Sequence, residues 1–233
     1  HESLGDKQLI HNYGHGGCGV TLSWGTARLA LDHALAQPHR QAAVIGCGAV
    51  GLATARLFQD HGFSVTIYAD VLPPETVSNI AGALFAPSYL LDRDQQSEAF
   101  GAELARAVRF AHRRFQLLPD QRYGIRWIPL YMLSHRTEMP LGWDWAQTPE
   151  LFVPLAHAPG THPFGDRYAH EFRMMVIEPS IYLPAMIDSF RQAGGSIVLR
   201  HLRDTADVMR LPESLVVNCA GLGAGSLFGD PSL

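Results

Sequence analysis

The sequence predicts an α/β fold built on a parallel sheet, and three observations carry that prediction. Ala42-Ala43-Val44-Ile45 is a short apolar run that leads into the glycines of 46–51 and then a helix-patterned segment. A second strand-like run, Gln8 to Asn12, leads through the glycine loop His15 to Gly19 into another helix pattern. A third apolar run, within Leu211 to Ala220, ends in the glycine-rich turn 221–225. Strands that each end in glycines and feed a helix are the repeating unit of parallel sheets with ligands at their carboxyl ends.

The stretch from Ala42 to Asp70 organises the rest. Gly46 suits the tight turn after the strand, Gly48 lets backbone approach a pyrophosphate, and Gly51 lets helix pack closely on strand, with Ala49 and Val50 between them. The helix begins at the turn, so its unpaired N–H groups and positive dipole end face the phosphates. Ser64 to Tyr68 is β-branched and reads as the next strand. Asp70 lies at its tip, nineteen positions past the third glycine, where a carboxylate accepts ribose hydroxyls. The pattern predicts a Rossmann-like unit for an adenine dinucleotide, and this stretch alone leaves NAD and FAD open.

Along the rest of the chain, Leu22, Ala27, Leu29, Leu31, Ala34 and Leu35 suit a buried helix ending near Pro38. Two helix N-termini, at 17–21 and 48–51, could then face one ligand. Residues 72–92 are rich in Pro, Ser, Asn, Gly and Ala, a candidate wrap around the cofactor, with Ile80 to Leu84 apolar for an exposed loop. Phe100, Leu104, Val108, Ala111 and Phe115 recur at helical spacing within 97–117, with arginines on a solvated face. From Tyr123 to Phe172 the pattern turns to β, with prolines, histidines and tryptophans. Residues 174–190 give a short strand and then a helix that continues into Arg191, and a strand at Ser196 to Arg200 follows. The expected domains are a nucleotide-binding domain of 1–120 and 174–233, with 121–173 as an inserted, β-rich, substrate-side subdomain.

Composition narrows the function. With 233 residues, 47% hydrophobic and 17% charged, the chain can bury a sizeable core. A net charge of −4 argues against nucleic-acid and anionic-membrane partners. Cys18, Cys47 and Cys219 lack metal-ligand or CxxC spacing and read as buried small residues. Twelve histidines invite a metal, but His157, His162 and His170 lack a ligand spacing, so no metal is expected. No apolar run approaches the roughly 18 residues that span a bilayer, and no signal peptide is visible, so a cytoplasmic location is expected. His1 is not an initiator, so the chain is expected to begin inside a longer one.

Read together, these pieces resemble the D-amino-acid oxidase family of flavoproteins. His11-Asn12-Tyr13-Gly14-His15-Gly16-Gly17-Cys18-Gly19-Val20-Thr21 matches the family signature nearly residue for residue, with Cys18 where the vertebrate enzymes have tyrosine. Val65 to Asp70, Thr76 to Gly82, Met175 to Tyr182 and Val216 to Gly221 are further matches. The resemblance implies noncovalent FAD. Gly46, Gly48, Ala49, Val50 and Gly51 would face its pyrophosphate, Asp70 the adenosine ribose and Leu202 the adenine. Ser78, Asn79, Gly82, Ala83 and Leu84 would meet the phosphates and flavin, and Cys219, Ala220 and Gly221 would close the same edge. The helix after Gly17, with Gly16, Cys18, Gly19, Val20 and Thr21 at its head, would point its positive end at flavin N1 and the C2 carbonyl.

Two departures from the family pattern stand out. In familiar members the glycine signature lies near the C-terminus, whereas here it precedes the nucleotide strand, so the order looks circularly permuted, joined through Gln37 to Gln41. The family's stretch of roughly a hundred residues that supplies the substrate-clamping arginine and active-site tyrosines has no counterpart here. We expect a fragment of a longer protein.

The implied activity is oxidation of D-amino acids by hydride transfer to flavin N5, with O2 as acceptor. Of the family's substrate-side groups Gly17 alone can be placed, and no catalytic side chain is assigned; His11 and His15 fall to scaffold. An oxidase for glycine, sarcosine or another small amine, and a non-catalytic dinucleotide-binding module, are the alternatives. The expected partner is a small-molecule substrate, and a homo-oligomer is left open.

Overall fold

The computed structural model describes residues 1–231 except 89, 91, 93 and 94. Strands β1 (Glu2–Leu4) and β2 (Lys7–His11) form a hairpin, and α1 (Gly19–Leu35) leads to β3 (Gln41–Ile45), α2 (Ala49–Asp60) and β4 (Ser64–Ala69). A strap of 71–88, with a 3-10 turn at Val77–Ile80, crosses towards α3 (Glu98–Gln116) and the single turn α4 (Asp120–Tyr123). Then come β5 (Ile125–Ser134), α5 (Trp143–Ala146), β6 (Leu155–His157) and β7 (Tyr168–Ile177). The chain closes with α6 (Pro179–Gln192), β8 (Ser196–Leu199), α7 (Thr205–Met209), β9 (Leu215–Asn218) and α8 (Gly223–Phe228).

Among the described residues the strands form two sheets. The first has the order β1-β2-β9-β3-β4-β8, parallel from β2 to β8 with β1 antiparallel at the edge. The second is the antiparallel sheet β5-β7-β6. Ala42 to Ile45 and Leu215 to Asn218 are buried on both faces, which explains why these strands read as unbroken apolar runs. One face of the parallel sheet carries α1, α2, α3 and α6 in a single large core. On the other face Leu9, Ala43, Ile45, Tyr68 and Val216 pack against Val208, Leu211 and Leu227, from the α7 and α8 region.

Local chemistry sets the helices. Ser97 caps α3, its hydroxyl accepting from the Phe100 N–H at 3.2 Å, while Glu98 in the first turn and Arg113 and Arg114 in the last complement the dipole. Its buried stripe, Leu104, Val108, Ala111 and Phe115, follows the helical period. Beneath it, Trp24 of α1 donates its Nε1–H to the Tyr182 hydroxyl of α6 at 2.8 Å, both side chains being buried.

The structure extends the sequence reading at β7, which starts at Tyr168 rather than near Met174. His170, Phe172 and Met174 point inward while Glu171 and Arg173 point out, an alternation that charged residues obscure. Buried His170 is satisfied by the Arg136 carbonyl, 3.1 Å from its Nε2.

Tyr182→Phe would leave the buried Trp24 N–H without its acceptor. A loss of about 1–2 kcal/mol of unfolding free energy is expected, read from urea denaturation.

Candidate functional site

The carboxyl ends of the parallel strands line up because the ladder runs one residue beyond them. Asn12 N–H donates to the Asn218 carbonyl at 2.8 Å, Cys219 N–H to Ile45 at 2.9 Å, Gly46 N–H to Tyr68 at 2.7 Å and Arg200 N–H to Ala69 at 2.8 Å. Five strand tips therefore share one edge, and the glycine turns leave from it. Gly46 has φ +105°, and a Cβ there would lie 2.5 Å from the Cys219 carbonyl oxygen. At Gly51 a Cβ would stand 2.0 Å from the Gly46 carbonyl oxygen, so α2 sits against the turn that launches it.

The two helices that start at this edge meet. A Cβ on Gly19, at the head of α1, would lie 3.6 Å from Cγ2 of Val50 in the first turn of α2. Neither helix has an acidic residue in its first turn or a side-chain cap from its N-cap residue, so two positive ends face the same ground. Gly17 precedes α1, Gly82 lies in the strap and Gly221 follows β9, and a Cβ added to any of them would meet nothing within 4 Å.

The strap joins these parts. Ser78 lies against the turn at Gly48, its hydroxyl accepting the Ala49 N–H at 3.0 Å. Asn79 accepts at Oδ1 from the Thr76 hydroxyl at 2.7 Å, and Ile80 beside it is 87% exposed. Thr21 of α1 donates to the Leu84 carbonyl at 3.2 Å, and the Cys18 thiol donates to the Ser88 carbonyl at 3.3 Å. The strap is pinned to β7 as well: Ile177 N–H donates to Ala83 at 3.0 Å and Phe85 N–H to Met175 at 2.8 Å. Between those bonds Ala83 is held at φ +48°, in the left-handed region that alanine avoids.

At the far end of the edge, Asp70 follows β4 and its Oδ1 lies 3.2 Å from Nδ1 of His201, which follows β8. Leu202 packs against the smaller core. Cys219, Ala220 and Gly221 follow β9 between the two glycine turns, with Ala220 N–H donating to the Asn218 side-chain oxygen at 3.1 Å. The sequence-predicted positions thus lie in one row: 70 and 202 at one end, 46–51 with 78 and 219–221 in the middle, and 16–21 with 82–84 beyond. Sequence reasoning missed His201 because an isolated histidine after a strand carries no pattern.

The remaining titratable groups near the row are quiet. Burial pushes the Cys47 and Cys219 thiols up to about 12, so neither supplies a thiolate. Burial also pushes His15 down to about 4; its Nε2 lies 3.1 Å from the Thr26 hydroxyl, and the imidazole is neutral at pH 7. Among the described residues no three metal-ligating side chains are grouped, and no helix is long and apolar enough to cross a membrane.

An elongated row with a carboxylate at one end, two helix heads free of acidic side chains in the middle and open glycines fits an extended dinucleotide diphosphate. Comparison with known proteins names the group. A family model for FAD-dependent oxidoreductases, DAO, matches residues 41–232. The chain belongs to this family. FAD is the cofactor that membership assigns. The chain is 30% identical over 193 residues to a D-amino-acid oxidase of Rubrobacter xylanophilus, covering 83% of this chain and 56% of that protein. It is 29% identical over 192 residues to a D-amino-acid oxidase of Dictyostelium discoideum, covering 82% and 53%. This chain therefore spans about half the length of the curated relatives it matches. Among solved structures, an iminodiacetate oxidase from Chelativorans sp. BNC1 is similar in fold, with a TM-score of 0.56 at 15% identity over 81% of this chain and 57% of that one. A glycine oxidase from Geobacillus kaustophilus has a TM-score of 0.53 at 13% identity, over 84% and 59%.

Two outcomes follow from this geometry. Ala83→Val puts a β-branched side chain in the left-handed region and is expected to lower unfolding free energy by about 1–2 kcal/mol in urea titration. The unfolded chain protonates His15 near pH 6.5 while the folded chain resists until about 4. Stability is therefore full above pH 6.5 and falls as the pH drops towards 4, with a limiting loss from this group of about 3 kcal/mol. His15→Asn should flatten that part of the pH–stability profile.

Proposed function

We propose that FAD lies along the carboxyl edge of the parallel sheet and that the protein oxidises D-amino acids. The observation that carries this reading is the meeting of the α1 and α2 first turns at Gly19 and Val50, which gives one ligand two positive helix ends. In this reading Gly46, Gly48, Ala49, Val50 and Gly51 bind the pyrophosphate, Asp70 the adenosine ribose and Leu202 the adenine edge. Ser78, Asn79, Gly82, Ala83 and Leu84 follow the phosphates and ribityl chain to the flavin. Cys219, Ala220 and Gly221 floor the middle of the row. Gly16, Gly17, Cys18, Gly19, Val20 and Thr21 present backbone N–H groups to the pyrimidine end of the flavin, where negative charge gathers on reduction. Gly17 leaves room beside it for the substrate.

FAD, when bound, supplies the two-electron acceptor: the amine gives up its α-hydrogen and an N–H hydrogen to become an imine, water hydrolyses the imine to the oxo acid and ammonia, and O2 takes the electrons and protons as hydrogen peroxide. The chain's own contribution is to orient and to place charge, with no acid–base pair demanded of it. The names of the curated relatives support D-amino acids as the substrate class. The parallel pairing of β2 with β9, and the passage of α1 directly into β3, support residues 1–40 as the family's glycine signature in permuted order.

The purified protein should be yellow, and D-alanine added without oxygen should bleach the flavin band within a stopped-flow trace. Bleaching only by glycine or sarcosine would move the substrate to small amines. A flavin that no member of a panel of D- and L-amino acids, glycine and sarcosine bleaches would overturn the oxidase reading.

A further inference from the structure

We propose that His201 is the positioning residue of the adenosine-ribose subsite, holding the Asp70 carboxylate in the orientation that accepts the ribose hydroxyls. The inference rests on the flavin reading above and assigns a role to a residue that the family pattern leaves unassigned. Asp70 and His201 leave the carboxyl ends of neighbouring strands, with Ala69 paired to Leu199 in the ladder and the Arg200 N–H donating to the Ala69 carbonyl at 2.8 Å. The imidazole Nδ1 lies 3.2 Å from Asp70 Oδ1.

Packing does not force this contact, because the two side chains are 64% and 66% exposed. Other bonds fix the backbone that carries His201. Leu202 packs into the smaller core, and the Arg203 N–H donates to Asp207 Oδ2 at 3.1 Å. Arg203, the nearest alternative cation on the C-terminal side, is committed to Asp207 through Nε at 3.0 Å and Nη2 at 3.3 Å. Among the described residues His201 is the ion-pairing partner of Asp70.

A carboxylate has about four lone-pair directions, so an imidazole standing against one oxygen leaves others for two hydroxyls. An exposed aspartate otherwise samples several rotamers, and ordering it opposes ligand binding. His201 removes that freedom before the ribose arrives.

The test is a double-mutant cycle on affinity, read by flavin fluorescence with FAD and with FMN, which lacks the adenosine. His201→Ala is expected to weaken FAD binding by about two- to fivefold, the scale of one exposed side-chain pair. FMN affinity should not change, nor should the melting temperature of the apoprotein. Asp70→Asn should weaken FAD on its own, and adding His201→Ala to it should cost nothing further. His201→Gln, which keeps an N–H donor, should recover much of the loss. Equal FAD affinity in His201→Ala, an equal loss for FAD and FMN, or an undiminished loss in the Asp70→Asn background would each overturn the proposal while leaving the flavin reading standing. A wild-type protein that binds neither flavin would remove the flavin reading itself.

Discussion

The structure depends on the placement of β9 between β2 and β3. Leu215 to Asn218 is buried on both faces and pairs in parallel with Gln8 to His11 on one side and Ala42 to Ile45 on the other. The pairing is long-range in sequence, so loop-closure entropy opposes it and hydrophobic burial of the strand has to outweigh that cost. Its consequence is positional. With β9 in place, two glycine turns that belong to separate strand–helix units leave the sheet at the same edge, one strand apart, and the helices they start come into contact. Two weak helix-end potentials then act over one small volume.

The strap extends that arrangement to the second sheet. It leaves β4 at Asp70, touches the head of α2 through Ser78, runs beside α1 at Thr21 and Cys18, and joins β7 through Ala83 and Phe85. A single segment thus couples the carboxyl edge of the parallel sheet to the antiparallel sheet. The left-handed Ala83 sits where this segment is fastened on both sides of the residue, and strain at that position persists because the hydrogen bonds around it leave the backbone no other path. The histidines that crowd the second sheet serve its own structure: His170 bonds the Arg136 carbonyl, His157 pairs with Glu171 at 2.9 Å, and His162 bonds the Arg167 carbonyl at 2.8 Å.

Legibility in the sequence followed the strength of local patterning. Ala42 to Ile45 and Val216 to Asn218 are buried on both faces, so their apolar runs announce strands without a competing periodicity, and Val65 to Tyr68 differs only by the half-buried Thr66. The apolar stripe of α3 was equally readable. The full length of β7 was not, because Glu171 and Arg173 interrupt its apolar residues. β1, α5 and β6 were also hidden, being three or four residues long and too short to show a period.

The sequence by itself determined that three strands end in glycines, that helices follow two of them, and that a carboxylate stands at a strand tip, because each of these is a property of neighbouring residues. Only the tertiary structure decided that the two helix heads touch, that Ser78 lies at the Gly48 turn, and that His201 reaches Asp70. Those contacts join residues far apart in the chain, and sheet order, which arises from burying whole strands together, is what brings them side by side.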